Sequence, residues 1–374
     1  MSEATRSAQT PKTRVTIIVS PRERFEQALL SIKSLLANTT CPFDLIYIDG
    51  GSPKSIAREV RTIVKTAGHT YIRRDGFLSP NDSRNIATPM VTTEFVAFVD
   101  NDVVFSPGWL TALLTCADET NAGLVTPTIL VGPASKAPNV SIHHAGGIIA
   151  LTPTDNGLEL YRRHGFEHTP YTEKKDQLVR SETGCTEFHA VLARKAMLDD
   201  IGPLDPNLTG LTDEVDMAFL AKQKGWSVWF EPSSVVTYAV GRAISWREIP
   251  FFCVRWQQSR VLKSERHFRK KWGLTPDVTR EKRFLRDHRR HAFPMKRLQS
   301  LVGWRITITF RNILCDAIAR IYGWKQITPQ TYTIATPKSA EARPGADAPI
   351  ETYFPDKAAA VTKSRAEKQL AMPA

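Results

Sequence analysis

Apolar residues recur along this chain in two alternating rhythms. Arg14-Val15-Thr16-Ile17-Ile18-Val19 is β-branched and predicts a strand. Phe25, Leu29, Ile32 and Leu36 follow at helical spacing and predict an amphipathic helix. Leu45-Ile46-Tyr47-Ile48 predicts a second strand. It breaks at Asp49-Gly50-Gly51-Ser52-Pro53, where Ser52 can cap a helix whose first residue is Pro53. Ile56, Val60 and Val64 share one face of that helix. Thr70-Tyr71-Ile72 is a third strand, residues 82–87 a short helix, and Glu94-Phe95-Val96-Ala97-Phe98-Val99 a buried fourth strand. Ser106-Pro107 repeats the cap-then-proline device and opens a helix, and Leu124-Val125-Thr126 is a further strand. Such alternation predicts an α/β fold with a doubly wound, mostly parallel central sheet of Rossmann-like character.

Residues 131–180 mix Pro, Gly, His and charge and read as loop-rich. Periodic structure returns over residues 185–193, with helices over 195–200 and 213–224 and strands at Val228-Trp229-Phe230 and Val235-Val236-Thr237. Beyond residue 245 the chain turns helical and basic. Leu301, Trp304 and Ile308, then Leu314, Ile318 and Ile321, predict an apolar helix face. The pattern divides the chain into a polar lead (1–12), a main domain (13–275), an amphipathic helical extension (276–326) and a disordered tail (327–374).

The formal charge of +12 points to an anionic partner. The run Arg255, Arg260, Lys263, Arg266, Arg269, Lys270, Lys271, interleaved with Trp256, Phe268 and Trp272, ranks an anionic membrane surface first and a solvated face second. No nucleic-acid motif supports a nucleic-acid partner, and none is expected. Five scattered cysteines without a CxxC pair argue against a zinc module or a disulfide framework. No leader-like or membrane-spanning apolar run is present in the sequence, so the expected location is cytoplasmic, peripheral at the inner face of the membrane if the basic stretch meets lipid.

The fourth strand ends abruptly in Asp100-Asn101-Asp102. Continued strand geometry would aim Asp100 and Asp102 at one point. Converging carboxylates repel unless a hard cation such as Mg2+ or Mn2+ sits between them. The plain alternative is a solvated turn. Asp49 could accept from a nucleobase or a ribose hydroxyl, or only build its turn. Ser20-Pro21-Arg22-Glu23-Arg24 occupies the loop where nucleotide-binding α/β proteins meet their ligand. Arg22 or Arg24 could meet phosphate or lie against a base, or the loop could be a solvated, self-paired charge cluster, and Arg84 of Ser83-Arg84-Asn85 could reach a pyrophosphate. Thr212-Asp213-Glu214-Val215-Asp216 either complements a helix dipole or supplies a general base. His143-His144 does not favour joint ligation, because adjacent residues point apart on regular structure, and His189 stays unassigned.

The order of these motifs resembles the family 2 inverting glycosyltransferases of GT-A fold, over residues 13–275. Ile48-Asp49-Gly50-Gly51-Ser52 matches the family's Val-Asp-(Asn or Asp)-Gly-Ser, and Ser83-Arg84-Asn85 its Ala-Arg-Asn. Asp100-Asn101-Asp102 with trailing Pro107-Gly108-Trp109 matches its DxD motif and is the most specific correspondence. The first loop is a variant of the usual Pro-Thr-Tyr-Asn-Arg. Asp213-Glu214-Val215-Asp216 is similar to the acceptor-side Glu-Asp-x-Asp with the first two acids exchanged, which leaves Glu214 and Asp213 both open as the base and puts Asp216 on the acceptor side. Many relatives carry a histidine ligand where this chain has Tyr238.

The resemblance implies Ser20, Arg22, Asp49, Arg84 and Asp100 around a nucleotide-diphosphate sugar. It implies Mg2+ or Mn2+ on Asp100 and Asp102, and transfer with inversion to a saccharide or lipid-linked acceptor, for cell-surface polysaccharide or glycolipid synthesis. The rival readings are a degenerate, non-catalytic membrane-surface binding protein, favoured by Tyr238, and a nucleotidyltransferase, disfavoured because the first loop has no glycine.

Overall fold

The β-branched runs do form the centre of the molecule. The computed structural model describes residues 13–155, 157–240, 244–276 and 296–323. The lead (1–12), the tail (327–374) and much of the extension lie outside the described residues. The strands are β1 (Val15–Ser20), β2 (Phe43–Gly50), β3 (Thr70–Arg74), β4 (Phe95–Asp100), β5 (Val103–Phe105), β6 (Leu124–Gly132), β7 (Ser141–His144), β8 (Gly147–Thr154), β9 (Gly157–His164), β10 (Ser181–Glu182), β11 (Ala190–Arg194) and β12 (Val228–Ala239). The helices are α1 (Ala28–Asn38), α2 (Lys54–Thr66), α3 (Pro80–Ala87), α4 (Trp109–Thr120), α5 (Tyr171–Lys174), α6 (Lys195–Ile201), α7 (Asp213–Gln223), α8 (Ile249–Arg255), α9 (Gln258–Lys271) and α10 (Lys296–Gly323).

The main sheet runs β10-β12-β6-β11-β4-β1-β2-β3, with β5 on β12 and β7 on β6. Pairing is parallel through β3, β2, β1 and β4, and again between β6 and β12. Strand β11 enters antiparallel between β4 and β6. Period-two alternation explains why β1 and β4 are apolar on both faces. Val15, Ile17, Val19, Phe95, Ala97 and Val99 pack with α1, α2 and α4, whereas Ile18, Val96 and Phe98 pack with α6 and α7.

Three expectations change. The stretch 131–180 holds β7 and a hairpin, β8–β9, that forms its own two-stranded sheet. Its glycines and Pro153 hide a real alternation, Leu158 and Leu160 packing inward between Glu159 and Tyr161. The strands expected at 228–230 and 235–237 are one strand, β12, with an irregularity between Glu231 and Val235. The basic run is solvated only in part, with Lys263, Arg266 and Lys270 exposed. Arg255 and Arg269 are buried, and Lys271 pairs with Asp205 at 3.3 Å and Asp216 at 2.8 Å. In α10 the buried side is Thr307, Arg311, Cys315 and Ala319, while Leu301, Trp304, Ile306, Phe310 and Ile313 are exposed. The helix is interrupted at Gly303, whose φ of 79° breaks helical geometry. No helix among the described residues is long and apolar enough to cross a membrane.

Phe98 is wholly buried and meets Phe188 edge-on with ring centroids 5.8 Å apart. Phe98→Ala is expected to cost about 3–5 kcal/mol, read as a lower urea midpoint with an unchanged slope; an unchanged midpoint would place the stabilising core elsewhere.

Candidate functional site

The site forms where β1, β2 and β4 end and where β11 and α7 begin. Strand β4 stops at Asp100, so Asp102 converges on it through a turn rather than through continued strand. Asn101 holds that turn to the first loop: its side chain accepts from Arg22 N at 2.8 Å and donates to Glu23 O at 3.0 Å. Both acids are fully buried. Asp100 Oδ2 accepts from Arg22 at 2.8 Å and from His189 Nδ1 at 2.9 Å. Burial works against the Asp100 charge, but Arg22, His189 and Arg84 hold its carboxyl below the usual range. At Asp102 the opposing pull of His189 and Arg22 is outweighed. Burial and the neighbouring Asp100 charge push it up to about 7. Asp100 Oδ1 and both Asp102 oxygens are buried without a hydrogen-bond partner among the described residues. Three orphaned oxygens are what a hard divalent cation requires, so the residues fit Mg2+ or Mn2+. Asp100, Asp102 and His189 offer ligand atoms within 4.8 Å of one another.

Arg84 joins this pair to the second acidic cluster. Its side chain is 1% exposed, 2.8 Å from Asp213 Oδ2 and 3.5 Å from Asp100 Oδ1. The guanidinium lies over the Phe188 ring, 3.4 Å from its centroid. Asp213 and Glu214 begin α7. Glu214 Oε1 accepts from Arg162 Nη1 at 2.7 Å. Burial pushes the Glu214 carboxyl well up against the pull of Arg162, with Glu187 and Asp213 adding to the rise. Asp216 turns away and ties α7 to α9 by accepting from Trp272 Nε1 at 2.8 Å as well as from Lys271.

Ser20 sits opposite Asp100 in the β1–β4 register, buried, with its hydroxyl unpaired among the described residues. Asp49, at the end of β2, is occupied within its own turn. It accepts from Ser52 N at 3.0 Å, Ser52 Oγ at 2.7 Å, Tyr71 Oη at 2.5 Å and Arg73 at 2.5 Å. Gly51 is required there, because its φ is +88° and a Cβ would lie 2.7 Å from Gly76 O.

Sequence reasoning missed Arg162 and Glu187, left His189 unassigned and read Arg255 only as part of a basic run. Arg162 arrives on β9 of the unrecognised hairpin and bonds both Glu214 and Glu187. His189 reaches Asp100 because β11 lies antiparallel to β4, Ala190 opposite Val99. Tyr238 stacks flat on His189, ring centroids 4.3 Å apart and planes 17° apart. Arg255 is buried 3.9 Å from Glu23, its three guanidinium nitrogens without a hydrogen bond among the described residues.

The model for "Glycosyl transferase family 2" matches residues 16–202, half of the chain. The chain belongs to glycosyl transferase family 2. The fold is the GT-A α/β fold expected for that family. The family match takes in Asp100, Asp102, Arg162 and His189 and ends before α7, so Asp213 and Glu214 lie beyond it. This family 2 chain is 24% identical over 159 residues to the "Pre-mycofactocin glycosyltransferase" of two strains of Mycobacterium tuberculosis, CDC 1551 / Oshkosh and ATCC 25618 / H37Rv. That alignment covers 42% of this chain and 30% of each relative, so the chain spans less than a third of the curated relatives it matches. A crystal structure of GalNAc-T7 with UDP, GalNAc and Mn2+ is similar at 15% identity and a TM-score of 0.47, covering 79% of this chain and 57% of that one.

Arg84→Ala removes the sole counter-charge hydrogen-bonded to Asp213 among the described residues and is expected to cost about 3–5 kcal/mol. Urea denaturation checks it, and Arg84→Lys should recover part of the loss. Wild-type stability in the alanine variant would show that Asp213 finds another partner or water.

Proposed function

We propose that the chain is an inverting glycosyltransferase moving a sugar from a nucleotide-diphosphate sugar to a hydroxyl of a saccharide or lipid-linked acceptor, in the service of cell-surface polysaccharide or glycolipid synthesis. Family membership supports the reaction class. The observation that carries the reading is the set of three buried, unpaired carboxylate oxygens on Asp100 and Asp102, joined by Arg84 to the acids of α7.

Asp100 and Asp102 would hold Mg2+ or Mn2+. When bound, such an ion neutralises the charge that builds on a diphosphate leaving group. Ser20 and Arg22 border the same carboxylates and would orient the phosphates. The guanidinium of Arg255, paired with Glu23 at 3.9 Å but with no hydrogen bond among the described residues, has donors to spare for a further phosphate oxygen. Asp49, braced by Ser52, Tyr71 and Arg73, would meet the nucleoside.

Glu214 is the better base. Asp213 is committed to Arg84 at 2.8 Å. Glu214 Oε1 holds Arg162, while its Oε2 makes no hydrogen bond among the described residues and would take the acceptor hydroxyl's proton. A carboxyl pushed up by burial is matched to proton abstraction near neutral pH. Attack by that hydroxyl opposite the departing diphosphate inverts the anomeric carbon. Asp216, bonded into α9, would brace the acceptor side of α7 rather than touch substrate.

The membrane part of the proposal, a cytoplasmic chain peripheral at the inner membrane face, now stands on α10. Leu301, Trp304, Ile306 and Phe310 are exposed beside Arg305, and the chain carries +12 overall. Exposed apolar residues next to cations suit an anionic interface.

Two experiments test these statements. With a panel of nucleotide sugars and Mn2+, at least one donor should release its nucleoside diphosphate. Asp102→Asn should abolish that release, and Glu214→Gln should slow transfer roughly 10²–10⁴-fold, with the product's anomeric proton reporting inversion by NMR. Silence with every donor supports the non-catalytic reading instead. In flotation with phosphatidylserine vesicles, the full chain should rise with lipid, and a Trp304→Glu, Phe310→Glu double variant should stay down; equal flotation removes α10 as the contact.

A further inference from the structure

Beyond Asp100 lies a group of side chains that the transfer chemistry leaves unused. His143 comes from β7, and Glu187 and His189 lie two residues apart on the approach to β11. A turn at residues 188 and 189 separates the last two. His143, Glu187 and His189 each offer a ligand atom, and these atoms all lie within 4.8 Å of one another. Two imidazoles and one carboxylate make the donor set of an open zinc site.

Each of the three has a donor atom to spare. Glu187 turns Oε1 to Arg162 and to His164, the latter 3.4 Å away, and its Oε2 makes no hydrogen bond among the described residues. Neither ring nitrogen of His143 makes one there, and the His143 ring centroid lies 5.3 Å from that of His189. His189 commits only Nδ1, to Asp100 Oδ2 at 2.9 Å. An uncharged imidazole donating Nδ1–H to a carboxylate keeps its lone pair on Nε2, on the opposite edge of the ring. Carboxylate–imidazole pairing of this kind orients metal-ligating histidines and raises their basicity. Tyr238, stacked on the same ring, fixes its plane.

We propose that His143, Glu187 and His189 form a second cation site, distinct from the Asp100–Asp102 pair, that takes a borderline-soft divalent ion of the Zn2+ class and leaves a fourth position open. The donor sets separate the two sites. Oxygen donors alone suit Mg2+ or Mn2+, whereas imidazole nitrogen favours zinc and its neighbours. Asp100 serves both, presenting Oδ1 to the hard-ion site and supporting His189 through Oδ2. Tyr238, from β12, clamps the imidazole that the approach to β11 brings in. This inference does not depend on sugar transfer.

The test uses the full chain, stripped with chelator and titrated with Zn2+ by calorimetry, with bound metal counted by atomic emission after dialysis. Wild type should bind one Zn2+ per chain at this site. His143→Ala and Glu187→Gln should each weaken that binding at least about 100-fold. Asp102→Asn, and His168→Ala at an exposed histidine, should leave it unchanged. Mn2+ binding should show the reverse pattern, lost in Asp102→Asn and kept in His143→Ala. Co2+ in place of Zn2+ should give visible absorption that His143→Ala removes. Circular dichroism checks folding, and if His143→Ala fails to fold, Glu187→Gln decides. The proposal is overturned if wild type binds no stoichiometric Zn2+, if binding survives in Glu187→Gln, or if Asp102→Asn loses Zn2+ along with Mn2+.

Discussion

Two acidic clusters more than a hundred residues apart in the chain meet across one buried guanidinium. Arg84 lies between Asp100 and Asp213 with its plane against Phe188. Burying so many charges is costly unless each is paired. Arg84 answers Asp213 and part of Asp100, Arg22 answers the rest of Asp100, and Arg162 answers Glu214 and Glu187. Among the described residues Asp102 alone has both carboxylate oxygens buried without a hydrogen bond, and there the chemistry points outward to a ligand. The fold serves this arrangement: parallel strands bring their ends to one edge, and α3 carries Arg84 into the gap.

Charge also explains the order of the site's parts. The carboxyl that Arg22 and His189 hold ionised sits beside one that burial and repulsion push up to about 7. Neighbouring acids driven apart in this way are common where an ion or a proton is to be handled. Glu214, pushed up in its own enclosure, is the third member of the series.

Much of this was legible in the chain. The apolar runs announced β1, β2 and β4, because strands buried on both faces leave no ambiguity of hydropathy. The acids ending β4 stood out because nothing apolar accounts for them. Other features were hidden for physical reasons. His189 meets Asp100 through antiparallel pairing of β11 with β4, a relation between positions 89 apart that no local pattern encodes. The β8–β9 hairpin was masked by its glycines, Pro153 and its many charges. Helix α10 follows the usual inference only in part. Of its periodic apolar residues Leu301, Trp304 and Ile321 face outward, Ile308, Leu314 and Ile318 are half-buried, and Thr307, Arg311, Cys315 and Ala319 pack inward.

The hairpin has a consequence for how acid strength is set in this protein. Arg162 reaches Glu214 only because Ile149 stands opposite it in the β8–β9 ladder. A slip of one residue in that small ribbon would rotate Arg162 to the other side and present Tyr161 or Arg163 in its place. The proton affinity of a carboxyl in one helix is therefore governed by the register of a two-stranded ribbon elsewhere, while the main sheet stays as it is.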